Sequence, residues 1–117
     1  MNQGRVVAGD KVVVFGAGPV GLAAAVAASY FGAGKVVVVD LSESRLAIAR
    51  ELGMIPFKAD AGDLKAFLIE HHGIVTNDPL LGEQPATDLF IEVTGAGTVF
   101  QRICDTARKG ARIVVVG

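Results

Sequence analysis

Residues 12–40 constrain this chain more than any other stretch. They open on the apolar run Val12-Val13-Val14-Phe15 and pass at once into Gly16-Ala17-Gly18-Pro19-Val20-Gly21. An alanine-rich segment follows to Phe31, then a Gly32-Ala33-Gly34 break, then a second apolar run from Val36 to Val39 closed by Asp40. A lone G-x-G-x-x-G is weak evidence, because glycine is common. Here strand, glycine turn, helix, second strand and acid come in the order the motif requires. Gly16 permits a tight turn out of the strand, Gly18 lets a diphosphate approach bare backbone, and Gly21 lets the helix close on the sheet. The helix start offers unpaired N–H groups and a partial positive charge, and Pro19 suits its first turn. Asp40, about twenty residues beyond Gly21, stands where a carboxylate accepts hydrogen bonds from ribose hydroxyls. The bland alternative, a compact turn with no ligand, does not account for the full context.

The remaining chain alternates between the same two kinds of element. The strands read as apolar runs without alternation, as in a parallel sheet covered on both faces. Residues 19–31 form the first helix, and Leu22 to Ala28, apolar on all sides, reads as buried. Ser42 caps a second helix running to Leu52, with Leu46, Ile48, Ala49 and Leu52 inward and Gly53 as its stop. Residues 54–57 form a third strand, which Pro56 assigns to an edge. Residues 63–72 form a third helix, amphipathic through Leu64, Phe67 and Leu68. Residues 73–87 carry loop chemistry in Asn77-Asp78-Pro79 and Gly82-Glu83-Gln84-Pro85. The fourth strand spans residues 89–93, Thr94-Gly95-Ala96-Gly97 is a second glycine turn, and residues 98–109 form a fourth helix that Gly110 ends. Val99, Ile103 and Ala107 face inward on it, and residues 113–116 give the fifth strand. This pattern predicts one α/β domain over residues 1–117, a doubly wound parallel sheet of five strands in the order 3-2-1-4-5. The order reverses between strands 1 and 4, so the ligand crevice opens there, flanked by both glycine turns.

Composition narrows the partners. The net charge is −1 and no polybasic run occurs, which argues against a nucleic-acid surface. No apolar run approaches the ~20 residues that span a bilayer, and the N-terminus lacks the apolar stretch of a signal peptide. The single cysteine, Cys104, makes no internal disulfide or metal cluster, which suits a reducing compartment such as the cytoplasm. Cys104 reads as a small core residue. His71 and His72 diverge on a helix and read as solvated helix-end residues. Glu92, inside an apolar strand, reads as a hydrogen-bonding group and not as a catalytic acid. Asp60, Asp63 and Asp78 read as loop and cap residues.

Four blocks together carry a resemblance to a known family. Gly9-Asp10-Lys11-Val12-Val13-Val14-Phe15-Gly16-Ala17-Gly18-Pro19-Val20-Gly21-Leu22 resembles the opening of the cofactor domain of zinc-type medium-chain alcohol dehydrogenases. So does Val39-Asp40-Leu41-Ser42-Glu43-Ser44-Arg45-Leu46-Ala47-Ile48-Ala49-Arg50-Glu51-Leu52-Gly53. Asp88 to Gly95 and Gly110 to Gly117 resemble the family's later blocks. Residues 73–87 match it least.

The resemblance implies a Rossmann domain that binds NAD, with NADP less favoured because the Asp40 carboxylate would repel a 2′-phosphate; the nearby Arg45 weakens that preference. It implies that Gly16, Gly18, Pro19, Val20 and Gly21 surround the pyrophosphate. Asp40 would hold the adenosine ribose, with Arg45 beside it. Val93, Thr94 and Gly95 would line the adenine and ribose side, and Val116 and Gly117 would approach the nicotinamide. The family's members are much longer. Their separate catalytic domain carries the zinc ligands, and their sheet has a sixth strand. This chain therefore reads as a cofactor domain excised from an alcohol or polyol dehydrogenase. On that reading it is inactive alone, zinc belongs to the parent only, and its partner is the missing catalytic domain. The bare fifth strand would invite self-association. Two other readings stay open. Gly16 to Leu22 also resembles FAD-dependent hydroxylases, although those place glutamate where Asp40 stands. A stand-alone nucleotide-sensing module would share the same domain.

Overall fold

Three strands that read as unbroken apolar runs are the ones buried on both faces, and they form the middle of the sheet. The structure, a computed structural model, describes residues 6–76, 79–80 and 82–116. Strands β1 (Val12–Phe15), β2 (Val36–Asp40), β3 (Ile55–Lys58), β6 (Leu89–Glu92) and β7 (Arg112–Val115) pair in parallel in the order β3-β2-β1-β6-β7. This is the expected 3-2-1-4-5 arrangement, interrupted in sequence by a small hairpin of β4 (Ile74–Val75) and β5 (Gln84–Pro85). Two-residue strands are too short to leave a periodic signature, so residues 73–87 read only as loop. Val13 stands between Val37 and Phe90, and Phe15 between Val39 and Glu92, which brings the strand ends level at the carboxyl rim.

Helices α1 (Pro19–Tyr30) and α2 (Glu43–Glu51) cover one face, and α3 (Leu64–His72) and α4 (Gly97–Thr106) the other. Side chains alternate along each strand. Val12, Val14, Val36 and Val38 therefore meet α1 and α2, while Val13, Phe15, Val37 and Val39 meet α3 and α4. Ser42 caps α2 by accepting the N–H of Arg45, and Asp63 caps α3 by accepting that of Ala66. Asp60 lies 3.8 Å from Lys58 as a loop ion pair; Asp78 lies outside the described residues. Pro56 sits on the sheet edge as expected. Among the described residues no helix is long and apolar enough to cross a membrane.

Several sequence expectations need correction. Helix α1 is not buried all round: Ala25 and Ala28 pack on the sheet, while Val26 and Tyr30 are exposed. Ile48 and Leu52 are exposed too, because α2 turns only Leu46 and Ala49 inward. Helix α4 ends at Thr106, and Ala107 already has extended backbone, so Gly110 serves a turn beyond the helix. Cys104 is exposed.

His72 is the sharpest correction. It is 2 % exposed, the third residue of an i, i+4, i+8 face with Leu64 and Leu68. Its Nε2 lies 3.1 Å from the Lys35 carbonyl and its Nδ1 2.7 Å from the Thr87 hydroxyl. A carbonyl only accepts, so Nε2 carries the proton and Nδ1 accepts from Thr87. Burial lowers its pKa to about 4, so the bridging form is the neutral one.

Candidate functional site

Nine of the sequence-predicted residues converge on one cleft of about 430 Å³ at the carboxyl rim between β1 and β6: Gly16, Gly18, Pro19, Val20, Gly21, Asp40, Arg45, Val93 and Thr94. The three motif glycines are needed for different reasons. A Cβ on Gly21 would lie 1.7 Å from the Gly16 carbonyl oxygen, so α1 can start this close to β1 only over a bare backbone. Gly16 has φ +114, and a Cβ there would lie 2.7 Å from Val93 Cγ2. Gly18 has neither constraint. Its φ is −74, and a Cβ on it would meet nothing nearer than Arg45 Nη1 at 3.9 Å. Its missing side chain therefore leaves open space at the helix start.

That start is chemically bare as well. Gly18 caps α1 without a side-chain hydrogen bond, Pro19 occupies the first turn, and no acidic residue lies there. The first-turn N–H groups of a helix have no partner within it, and among the described residues no side chain stands in here. Open space, unpaired donors and the positive end of a helix dipole make a cradle for an anion.

Asp40 borders the cradle. Its Oδ2 accepts the Ala17 N–H at 2.7 Å and its Oδ1 the Ser42 N–H at 2.8 Å. Arg45 Nη1 stands 4.0 Å from Oδ2. A carboxylate has about four lone-pair sites, so both oxygens can still accept hydroxyl donors.

A smaller hollow of about 180 Å³ shares Gly16, Asp40 and Thr94 with the cleft. Its other walls include Leu41, Ala59, Val99 and Arg102. Arg102 donates from Nη1 to the Ala59 carbonyl at 3.0 Å. Sequence reasoning missed these four. Leu41 directly follows Asp40, and Val99 and Arg102 share a helix face at i, i+3; those two spacings were the available signals.

The second glycine turn differs. Glu92, 2 % exposed, turns Oε2 back to accept the N–H groups of Thr94 and Gly95 and the Thr94 hydroxyl. Its role is the strand-end hydrogen bonding expected from sequence. Gly95 borders neither hollow. Val116 donates its N–H to the Glu92 carbonyl and lines a separate apolar hollow with Val6, Ala24 and Ile91. Gly117 lies outside the described residues. Among the described residues, no three His, Cys, Asp or Glu side chains gather as a metal site.

A doubly wound parallel sheet with a glycine cradle at its switch point defines the Rossmann class of α/β domains. Within that class the chain belongs to the zinc-binding dehydrogenase family, whose model matches residues 19–117. Sorbitol dehydrogenase from Rattus norvegicus is 39% identical over 116 residues, which cover 99% of this chain and 30% of that protein. L-threonine 3-dehydrogenase from Mesorhizobium japonicum is 35% identical over 109 residues, 93% of this chain and 29% of that protein. Among solved structures, the alcohol dehydrogenase TADH from Thermus sp. ATN1 superposes with a TM-score of 0.81 at 36% identity, covering 98% of this chain and 31% of that one. An alcohol dehydrogenase zinc-binding domain protein from Burkholderia ambifaria gives 0.83 at 31% identity, covering 99% and 29%. The chain thus spans about three-tenths of the length of the relatives it matches. Family membership removes the support for the flavoprotein reading.

Proposed function

We propose that this chain is the nicotinamide-dinucleotide-holding domain of a dehydrogenase that transfers a hydride between an alcohol or polyol and the cofactor. The bare Gly18 backbone at the uncapped start of α1, beside Asp40, carries the reading. The α1 amides take the diphosphate, the Asp40 carboxylate takes the adenosine ribose hydroxyls, and Arg45 lies against that ribose. Val93 and Thr94 line the ribose and adenine side, with Gly95 next to them. Val116 and Gly117 belong to the nicotinamide end. The nicotinamide ring, when bound, supplies the hydride acceptor; this chain's residues bind and orient.

Asp40 makes NAD the preferred cofactor, because a 2′-phosphate would meet a carboxylate already close to the sugar. Zinc and the alcohol belong to the rest of a longer parent, and the domain alone turns over no alcohol. Its place is the cytoplasm, and the outer edge of β7 is where it would pair with another strand. Similarity to sorbitol and threonine dehydrogenases supports the polyol or hydroxyl substrate class.

Calorimetric titration with NAD and NADP tests the reading. The chain is expected to bind NAD more tightly, by roughly tenfold, and Asp40→Ser to narrow that ratio. Absence of binding to either cofactor, or an unchanged ratio in the folded variant, would overturn it.

A further inference from the structure

We propose that His72 is an acid-released clasp at the amino rim of the sheet: neutral, it ties the end of α3 to the entrances of β2 and β6, and once protonated it lets that corner open while the carboxyl rim stays closed. The clasp lies at the opposite end of the strands from the glycine cleft and does not depend on what that cleft holds.

One ring is the meeting point of three segments. His72 ends α3, Lys35 immediately precedes β2, and Thr87 lies two residues before β6. The ring donates Nε2–H to the Lys35 carbonyl and accepts the Thr87 hydroxyl on Nδ1. Thr87 is itself fully buried. Beside this pair the Ala86 N–H donates to the Gly73 carbonyl, and the Gly73 N–H to the Ile69 carbonyl, each at 2.9 Å. Residues 72–73 and 86–87 are thus zipped together where the chain leaves α3 for the β4–β5 hairpin and where it returns to β6.

A second ring proton is incompatible with this arrangement. Both nitrogens of a charged imidazole are donors, so the Thr87 hydroxyl would lose its acceptor and turn its hydrogen elsewhere in a buried space. The charge itself would be held away from water. Around the ring, Lys11 at the entrance of β1 and His71 on the same helix oppose a positive charge, while Asp88 at the entrance of β6 favours one. Asp88 is already engaged, because its carboxylate accepts the Lys11 N–H at 2.9 Å and the Arg108 guanidinium at 2.6 Å. Burial alone would raise its pKa, but these bonds outweigh that and hold it below the ordinary carboxylate value. Burial lowers the His72 pKa from 6.5 to about 4. Between pH 7 and pH 5 an open corner, with the ring in water, binds a proton that the closed one excludes, so opening becomes about twentyfold more favourable.

Amide hydrogen exchange on the 117-residue chain tests this, with rates corrected for their intrinsic pH dependence. The Gly73 and Ala86 amides are expected to exchange about twentyfold faster at pH 5 than at pH 7. Dilute urea should leave that rate unchanged, because a local opening exposes little surface. The Gly16 and Val93 amides, bonded to Val39 and Phe15 at the carboxyl rim, should exchange more slowly at both pH values and accelerate with urea. His72→Gln should remove the pH dependence at Gly73 and Ala86. Three results would overturn the proposal: no pH dependence at these two amides in the unsubstituted chain; pH dependence that survives in His72→Gln; or exchange that follows Gly16 in rate and urea response, which marks unfolding of the whole domain. If His72→Gln does not fold, Thr87→Val decides. It keeps the branched shape and removes the donor to Nδ1, so Ala86 should already exchange about fivefold faster at pH 7; an unchanged rate would overturn the clasp.

Discussion

The two glycine turns occupy equivalent places and have opposite chemistry. Each leaves the carboxyl end of a central strand and leads into a helix, and their last strand residues, Phe15 and Glu92, are register partners. After Phe15 the turn has no acid of its own, and the helix it starts has no side-chain cap. After Glu92 the turn is folded around a buried carboxylate, which takes two of its amides and a hydroxyl. The second turn carries its own anion; the first borrows Asp40 for its Ala17 amide and leaves the start of α1 without a side-chain cap. Glycine content alone does not distinguish them. The residue that ends each strand does.

The largest expected effect comes from Gly21→Ala. Its Cβ would lie 1.7 Å from backbone, so the first turn should lose more than about 4 kcal/mol, read as loss of a cooperative melt. Ordinary stability would show that α1 can slide, and the contrast in packing would fail. Next is Glu92→Ala, which strips the second turn of its internal acceptor. A loss of about 2 kcal/mol is expected from the charge-assisted hydrogen bonds removed, the exposed donors of Thr94 and Gly95 turning to water, with Glu92→Gln losing less. Added phosphate should recover part of the alanine variant's melting temperature if that turn has become a cradle like the first. A cost below about 0.5 kcal/mol would break the comparison.

The last test is a control from the opposite rim, where the smallest change is expected at the glycine turns themselves. His72 has a folded pKa of about 4 against an ordinary 6.5. Between those values the unfolded chain binds a proton that the folded chain does not, so stability is full above pH 6.5 and falls as the pH drops towards 4. Urea denaturation across that range should show this slope, and His72→Gln should remove it. The amide signals of both glycine turns should stay in place throughout.

Much of the fold was legible because it is written in local pattern. The runs at Val12, Val36 and Leu89, the caps Ser42 and Asp63, and the glycine turn at Gly16 each act within a few residues. The crevice followed from strand order. What stayed hidden depends on contacts distant in sequence. Cys104 and Ile48 are apolar enough for a core, but their helices turn other residues inward. His72 is polar, so its place behind Leu64 and Leu68 carries no core signal, and its partners Lys35 and Thr87 are distant in sequence. Arg102 reaches Ala59 across 43 residues, a link that no local spacing encodes.

Asp40 is also a joint between two loops. By holding the Ala17 and Ser42 amides it locks the exit of β1 to the exit of β2. Anyone redesigning this scaffold to switch its coenzyme would therefore be loosening a hinge pin at the same moment. On the proposed function, selectivity and rigidity meet in this one carboxylate, and a swap would need a second substitution that restores the lock.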